Sequence, residues 1–163
     1  MGSGKSHSGK RLAALLGLPF IDQDQLVEMR AGQPITEIFS RRGEDHFRRT
    51  EASVLRELAQ LPRFVLATGG GAPVHHGNMD WMNDHGTTVF LDPPPEILVS
   101  RLSTETEHRP LLQQSGNLRD FIEGRLAQRR PFYEKAAIHL RPTYANTDVA
   151  RLLADQLLRH SGQ

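Results

Sequence analysis

The 163-residue sequence contains no cysteine, and no apolar run in it approaches the length of a membrane-spanning helix. The lack of cysteine excludes disulfides, thiol catalysis and cysteine-based zinc sites, and it suits a reducing cytoplasm. The 20 basic and 19 acidic residues leave a net charge of +1, so no excess of one sign points to nucleic acid or to a membrane surface. The amino terminus also lacks the apolar core of a signal peptide. These absences predict a cytoplasmic protein of one domain, residues 1–163, with no nucleic-acid or membrane partner.

The first six residues carry the best-defined motif of the chain. Gly4-Lys5-Ser6 is the second half of a phosphate-binding loop, G-x-x-x-x-G-K-[ST], whose small residues let backbone N–H groups turn toward phosphate oxygens. A helix that begins at the loop adds a partial positive charge, Lys5 supplies a mobile charge for the outer phosphates, and the Ser6 hydroxyl can bind Mg²⁺. The first glycine of the motif would precede Met1. Read alone, the segment is therefore also compatible with a linker left by cloning.

Carboxylates and glycines follow two predicted strands. Asp22 and Asp24 come directly after the apolar run 18–21, where open α/β sheets place their ligands, although aspartate at either position can also cap the next helix. The predicted strand 64–68 leads straight into the glycine triplet 69–71. Because consecutive glycines cost conformational entropy, they indicate a backbone that a ligand approaches closely. Both segments predict a ligand-binding edge of a sheet.

The alternation of apolar runs predicts an α/β fold. A parallel sheet flanked by helices follows from the element order, and this sheet lacks the strand that would lead into the phosphate-binding loop. Strands are expected near 18–21, 64–68, 87–91 and 138–141, and helices over 6–16, 24–30, 77–85 and 117–130, over two segments of 35–61 that Gly43 separates, and from residues 93 and 147 onward.

Three further features give weaker signals. Residues 103–117 form a polar segment between two predicted helices, which predicts a mobile lid, and Arg109 at its centre would stabilise a transferring phosphoryl group. Arg48 and Glu51 stand at i and i+3 of a predicted helix, a spacing that alone indicates a solvated ion pair. The histidine pair 75–76 lacks the partner spacing of a metal site.

Taken together, these motifs resemble those of shikimate kinase, a small P-loop kinase of aromatic amino-acid biosynthesis. The resemblance covers nearly the whole chain and rests on several motifs in order: Gly2-Ser3-Gly4-Lys5-Ser6; Phe20-Ile21-Asp22-Gln23-Asp24; Gly43-Glu44 with Phe47-Arg48 and Glu51; Thr68-Gly69-Gly70-Gly71-Ala72; Arg109-Pro110-Leu111-Leu112; and Arg129 with Pro131 and Tyr133. It implies a three-layer P-loop kinase fold with a mobile lid at about 103–117 and a substrate-binding helical region at about 23–61. It also implies a monomer that uses ATP and Mg²⁺ to phosphorylate the 3-hydroxyl of shikimate, giving shikimate 3-phosphate and ADP.

The resemblance further implies a role for each matching residue. ATP would be held by Gly2, Ser3, Gly4, Lys5, Ser6, His7 and Arg109. Shikimate would be bound by Asp24, Arg48, Gly69, Gly70, Gly71 and Arg129, with the two arginines clamping its carboxylate. The catalytic residues would be Lys5, Asp24 and Arg109, and Asp24 would accept the proton of the attacking hydroxyl. Mg²⁺ would be ligated directly by Ser6 and mainly through water by Asp22.

The chain departs from the family pattern in three places. His7 replaces the small hydroxyl residue usual after the loop serine. Residues 141–148 do not match the family's adenine loop, which leaves Arg101 as a candidate adenine neighbour. The strand before the loop is missing, so we expect Met1 to be an internal methionine of a longer protein, with upstream coding sequence for a short apolar strand ending near a glycine.

Two other functions stay open on the sequence alone. One is another small P-loop kinase, such as an enzyme similar to gluconate kinase. The other is a non-catalytic ATP-binding remnant, since loss of a central strand would exceed the usual margin of stability.

Overall fold

A computed structural model describes residues 2–103, 118–143 and 147–160. Helices and short strands alternate in the predicted order, and a 3-10 helix, Ala72–Val74, follows the glycine triplet. No helix within these described segments is long and apolar enough to cross a bilayer. The helices are α1 Lys5–Leu16, α2 Gln23–Ala31, α3 Ile35–Leu58, α4 Asn78–His85, α5 Pro95–Ser103, α6 Leu118–Tyr133 and α7 Val149–His160, and the strands are β1 Phe20–Asp22, β2 Val65–Ala67, β3 Val89–Leu91 and β4 Ile138–Leu140.

The described strands form two separate parallel pairs. In the first pair β1 lies beside β2 with Phe20 opposite Val65, and in the second β3 lies beside β4 with Val89 opposite Ile138. A cavity of about 710 Å³ is lined by residues of both β2 and β3. The two pairs are thus neighbours across this cavity and share no described strand.

Three apolar clusters hold the helices in place. The first packs α1 against α7 and reaches both strand pairs, the second packs α2 against α3, and the third packs α5 against α6. Each fully buried aliphatic side chain contributes about 1.5–3 kcal/mol to the free energy of unfolding. These clusters are therefore the main contacts that stabilise the packing of the helices. Their buried members are, in that order, Leu12, Ile138, Val149, Ala150, Leu153 and Ala154; Val27, Ile38, Phe47 and Val54; and Leu98, Leu102 and Ile122.

Gly43 divides α3 into two helical segments as predicted, because it takes a non-helical conformation (φ 78°, ψ 170°) that kinks the chain there. One helix boundary differs from the prediction. The helix α6 runs through Pro131 to Tyr133, whereas the prediction ended it before the proline. A proline in the last turn of a helix removes only one backbone donor, and the N–H of Glu134 still bonds to the Arg130 carbonyl at 2.9 Å.

Candidate active site

The loop before α1 has a backbone that only glycine adopts easily. Gly2 and Gly4 have φ values of 69° and 84°, and Gly4 precedes the first residue of α1. A Cβ on Gly2 would lie 3.0 Å from Leu102 Cγ, and a Cβ on Gly4 would lie 3.3 Å from Arg101 Nη1. Arg101 Nη1 also donates to the Gly2 carbonyl at 3.3 Å. Arg101 therefore lies against the phosphate-binding loop itself.

Polar side chains gather beside this loop. Ser6 Oγ donates to Asp22 Oδ2 at 2.8 Å, and Lys5 Nζ donates to Ser3 Oγ at 3.4 Å. Asp22 Oδ1 accepts the backbone N–H of Asp24 at 3.1 Å and so caps α2. Asp22 is thus a helix cap and a neighbour of the loop at once, because its two oxygens face different partners.

The oxygens of Ser6 and Asp22 are of the kind that Mg²⁺ prefers. In the part of the chain that the structure describes, no group of three or more histidine, aspartate and glutamate side chains is placed to hold a metal. A magnesium ion here would need further oxygen ligands from phosphate groups and water, which is how Mg²⁺ is usually bound in nucleotide sites.

The glycine triplet packs against charged side chains of α2 and α3. A Cβ on Gly69 would lie 2.8 Å from both Asp24 Oδ1 and Glu51 Oε1. A Cβ on Gly71 would lie 2.5 Å from Arg48 Nη1. The close approach that the sequence predicts is therefore made, in this structure, by side chains of the protein itself.

Arg48 is held by two carboxylates. Its Nη1 donates to Glu51 Oε2 at 2.9 Å, and its Nη2 and Nε donate to Glu44 Oε1 at 3.0 and 3.1 Å. The side chains of Arg48 and Glu51 are 12% and 0% exposed, so this pair is buried and not the solvated pair that its spacing alone indicates. Glu51 Oε1 has no hydrogen-bond partner among the described residues. One buried carboxylate oxygen therefore faces the glycine triplet.

Burial raises the pKa of two carboxyl groups in this cluster. For Asp24 desolvation raises the pKa most, the charge of Asp22 adds to it, and Lys5 opposes it. For Glu51 desolvation is again the main cause, and its hydrogen bond with Arg48 opposes it. A carboxylate that is poorly solvated in its charged form is a better proton acceptor than one in water.

Arg129 and Tyr133 stand one turn apart on α6. Arg129 lines the cavity, and its positive charge lowers the pKa of Glu51, which places it near the α3 carboxylate. The Tyr133 hydroxyl donates to the Gly70 carbonyl, and its ring packs on Phe90 with centroids 5.1 Å apart. The helix α6 thus brings a cation and a hydrogen-bond donor to the glycine triplet.

The structure brings most of the predicted acceptor residues into one region. Asp24 and Glu51 lie against Gly69, and Arg48 lies against Gly71. Arg129 lines the same cavity as Gly69 and Gly70, and His7 is exposed in the first turn of α1. Met1, Arg109, all of the predicted lid except Ser103, and residues 144–146 of the predicted adenine loop lie outside the described residues.

Sequence analysis did not predict three residues that support the site. Glu44 and Glu51 hold Arg48, and only the i, i+3 spacing of Arg48 and Glu51 hinted at such a pair. Asn78 is fully buried next to the 3-10 helix and had no sequence signal, because its partners lie in other elements.

Comparisons with known proteins point to one family. The family model for shikimate kinase matches residues 1–159. A shikimate kinase from Bacteroides fragilis is 46% identical over 138 residues, which span 83% of this chain and 77% of that protein. A shikimate kinase from Histophilus somni is 39% identical over 158 residues, which span 97% of this chain and 89% of that protein.

Solved structures are similar as well. The crystal structure of shikimate kinase from Bacteroides thetaiotaomicron superposes with a TM-score of 0.87 and 38% identity, covering 99% of this chain and 93% of that chain. The shikimate kinase from Acinetobacter baumannii in complex with shikimate has a TM-score of 0.86 and 35% identity, covering 100% and 91%. These similarities confirm the predicted P-loop kinase fold and favour this family over the gluconate-kinase-like alternative.

Proposed function

The chain belongs to the shikimate kinase family, and we propose that the residues around the glycine triplet and the amino end of α1 carry the family's reaction. The enzyme transfers the γ-phosphoryl group of ATP to the 3-hydroxyl of shikimate, a step of aromatic biosynthesis. The observation that carries our assignment of residues is the buried cluster of Asp24, Arg48 and Glu51 against the triplet.

We place the ATP phosphates at the amino end of α1. The glycine backbone of residues 2–4 and the first N–H groups of the helix would donate to phosphate oxygens, and the helix dipole favours negative charge there. Lys5 would neutralise the outer phosphates. His7, in the first turn, would lie beside the nucleotide, and Arg109 of the predicted lid would contact the transferring group.

The carboxylate of shikimate would be held between Arg48 and Arg129. Each terminal guanidinium nitrogen carries two N–H donors, so the bonds from Arg48 to Glu44 and Glu51 leave donors for a substrate carboxylate. The buried ion pair with Glu51 also fixes the direction of the Arg48 guanidinium before substrate arrives, which lowers the entropic cost of binding. Backbone N–H groups of Gly69, Gly70 and Gly71 would complete this side of the site.

Asp24 is the proposed general base. As the 3-hydroxyl oxygen forms a bond to the γ-phosphorus, the bond from that phosphorus to the bridging oxygen of ADP breaks. The hydroxyl proton passes to a carboxylate oxygen of Asp24. Its raised pKa supports this role, because a desolvated carboxylate gains more from taking up a proton. Most of the remaining catalysis would come from alignment and from the charge of Lys5 and Arg109.

Mg²⁺ is the proposed metal cofactor, held by Ser6 Oγ directly and by Asp22 through water. The 2.8 Å contact between these side chains supports the assignment, because it places two oxygen ligands on one side of the loop. Magnesium bound there would neutralise phosphate charge during transfer.

We further propose that the enzyme acts as a monomer in the cytoplasm. The family resemblance implies a monomer, and the lack of cysteine suits a reducing compartment. Sedimentation equilibrium at the 18.3 kDa mass of one chain tests the first statement.

The assay that tests the function measures ADP release with ATP and Mg²⁺, with shikimate, with gluconate and with neither. We expect release that depends on shikimate, together with a product heavier than shikimate by one phosphoryl group. Release with gluconate alone would favour the other kinase class. No ADP release with any acceptor would favour the non-catalytic ATP-binding remnant.

A further inference from the structure

The carbonyls of the glycine triplet are tied to the 3-10 helix that follows it. The N–H of Ala72 donates to the Gly69 carbonyl at 3.1 Å, and the N–H of Val74 donates to the Gly71 carbonyl at 3.0 Å. Any shift of the 3-10 helix would therefore move the triplet. The triplet has little room to move, because Asp24, Glu51 and Arg48 already fill the space a Cβ would need.

Asn78, the first residue of α4, fixes this 3-10 helix. Its side chain is fully buried, and its Nδ2 donates to the Ala72 carbonyl at 2.9 Å. Its Oδ1 accepts from Arg56 Nη1 at 2.7 Å. An arginine can only donate, so Arg56 requires the amide oxygen on its side and leaves the amide N–H₂ facing Ala72.

Arg56 is itself held in place. Its Nη2 donates to the His76 carbonyl at 3.0 Å, and its guanidinium lies over the Trp81 ring at 4.9 Å from the centroid. Arg56 belongs to α3, the helix that also carries Arg48 and Glu51. The Arg56–Asn78 pair thus joins the helix that bears the proposed carboxylate clamp to the segment that bears the glycine triplet.

We propose that Asn78 and Arg56 are positioning residues for the acceptor substrate. They would hold the glycine triplet at the distance from Arg48 and Asp24 that binding of the acceptor requires. This inference rests on the acceptor site proposed above. The amide satisfies the Ala72 carbonyl and an Arg56 N–H, which an apolar side chain of the same size would leave without partners. A purely structural role would therefore weaken binding of both substrates when the amide is lost, whereas a positioning role should change shikimate binding more than ATP binding.

The test compares Asn78→Asp with Asn83→Asp in the full chain. An aspartate at 78 still accepts from Arg56 but cannot donate to the Ala72 carbonyl, so the KM for shikimate should rise about tenfold while the KM for ATP stays within about twofold. Asn83 lies on the same helix, is exposed and donates to the Lys135 carbonyl away from the triplet, so its variant should change neither constant.

A second variant keeps the inference testable if Asn78→Asp does not fold. Arg56→Lys keeps the charge but loses the two-pronged bonding to Asn78 and His76, so it should raise the KM for shikimate by a smaller factor. Trp81 is the only tryptophan of the chain, and Arg56 packs on it. Trp81 also lines the cavity that Gly69, Gly70 and Arg129 line, so we expect its fluorescence to change on titration with shikimate and to give binding constants independent of turnover.

The outcomes separate this inference from the proposed function. If Arg48→Ala weakens shikimate binding and the Asn78 and Arg56 variants do not, the positioning role is wrong and the acceptor site stands. Equal rises in both KM values would show general loosening and would also refute it. A wild-type protein without shikimate-dependent ADP release would overturn both.

Discussion

Replacing Asp24 with asparagine should change catalysis and stability in opposite directions. Asparagine keeps the shape of the side chain against Gly69 but cannot take up the proton of the attacking hydroxyl. Loss of a general base lowers turnover by about 10²–10⁴-fold. That fall corresponds to about 2.7–5.4 kcal/mol of transition-state stabilisation, at about 1.36 kcal/mol for each factor of ten. The KM for ATP should stay unchanged, because the phosphate-binding loop is intact.

The same substitution should stabilise the fold at neutral pH. Burial and the charge of Asp22 raise the pKa of Asp24 above its ordinary value of 3.8, so the folded protein holds this proton more tightly than the unfolded chain. The wild-type protein therefore loses stability as the pH rises from 3.8 through the folded pKa. Asparagine has no charge to desolvate. The difference in free energy of unfolding between variant and wild type should be smallest below this window, grow through it and stay constant above it.

Two measurements check these expectations. Steady-state kinetics with ATP and shikimate give kcat and both KM values, and urea unfolding at several pH values from about 4 to about 8 gives the stability difference. Asp84→Asn, on an exposed position of α4, is the matched control and should change neither quantity. A variant with kcat within about tenfold of wild type would show that Asp24 is not the base. A variant less stable than wild type at neutral pH would refute the argument from desolvation.

Three further substitutions test other parts of the site. Arg48→Ala should raise the KM for shikimate about 100-fold, because it removes a bidentate carboxylate contact and leaves Glu51 buried without its partner. An unchanged KM in steady-state kinetics would contradict the proposed carboxylate clamp. Ser6→Ala should raise the Mg²⁺ concentration needed for half-maximal turnover, and a magnesium titration that coincides with wild type would remove Ser6 and its contact with Asp22 from the metal site. Tyr133→Phe removes the bond to the Gly70 carbonyl and should lower the free energy of unfolding by about 1 kcal/mol, measured with urea; no change would mean that solvent replaces the hydroxyl.

The sequence pattern predicted the helices and strands well where residues adjacent in sequence determine the local structure. The four described strands lie within the predicted apolar runs or one residue beyond them, and the glycine triplet follows β2 as expected. Asp22 and Asp24 were alternative caps of α2 on the sequence, and Asp22 is the one that caps it in the structure.

Tertiary contacts account for what the sequence did not predict. The spacing of Arg48 and Glu51 places them together on α3, but their burial depends on a turn about 20 residues further along the chain. Asn78 meets Arg56 from a different helix, and no short-range pattern contains that contact.

Because the sheet is divided into two strand pairs, the two arginines of the proposed carboxylate clamp lie on elements that pack near different pairs. Arg48 lies on α3, which packs on α2 next to β1, whereas Arg129 lies on α6, whose Tyr133 packs on Phe90 of β3. A substrate carboxylate bound by both arginines would link the elements around β1 and β2 to those around β3 and β4. Before substrate binds, the Tyr133 hydroxyl, one turn beyond Arg129, already ties α6 to the glycine triplet. A small shift of one strand pair relative to the other would change the distance between the guanidinium groups of the two arginines. The affinity for the acceptor therefore depends on how the two strand pairs are aligned.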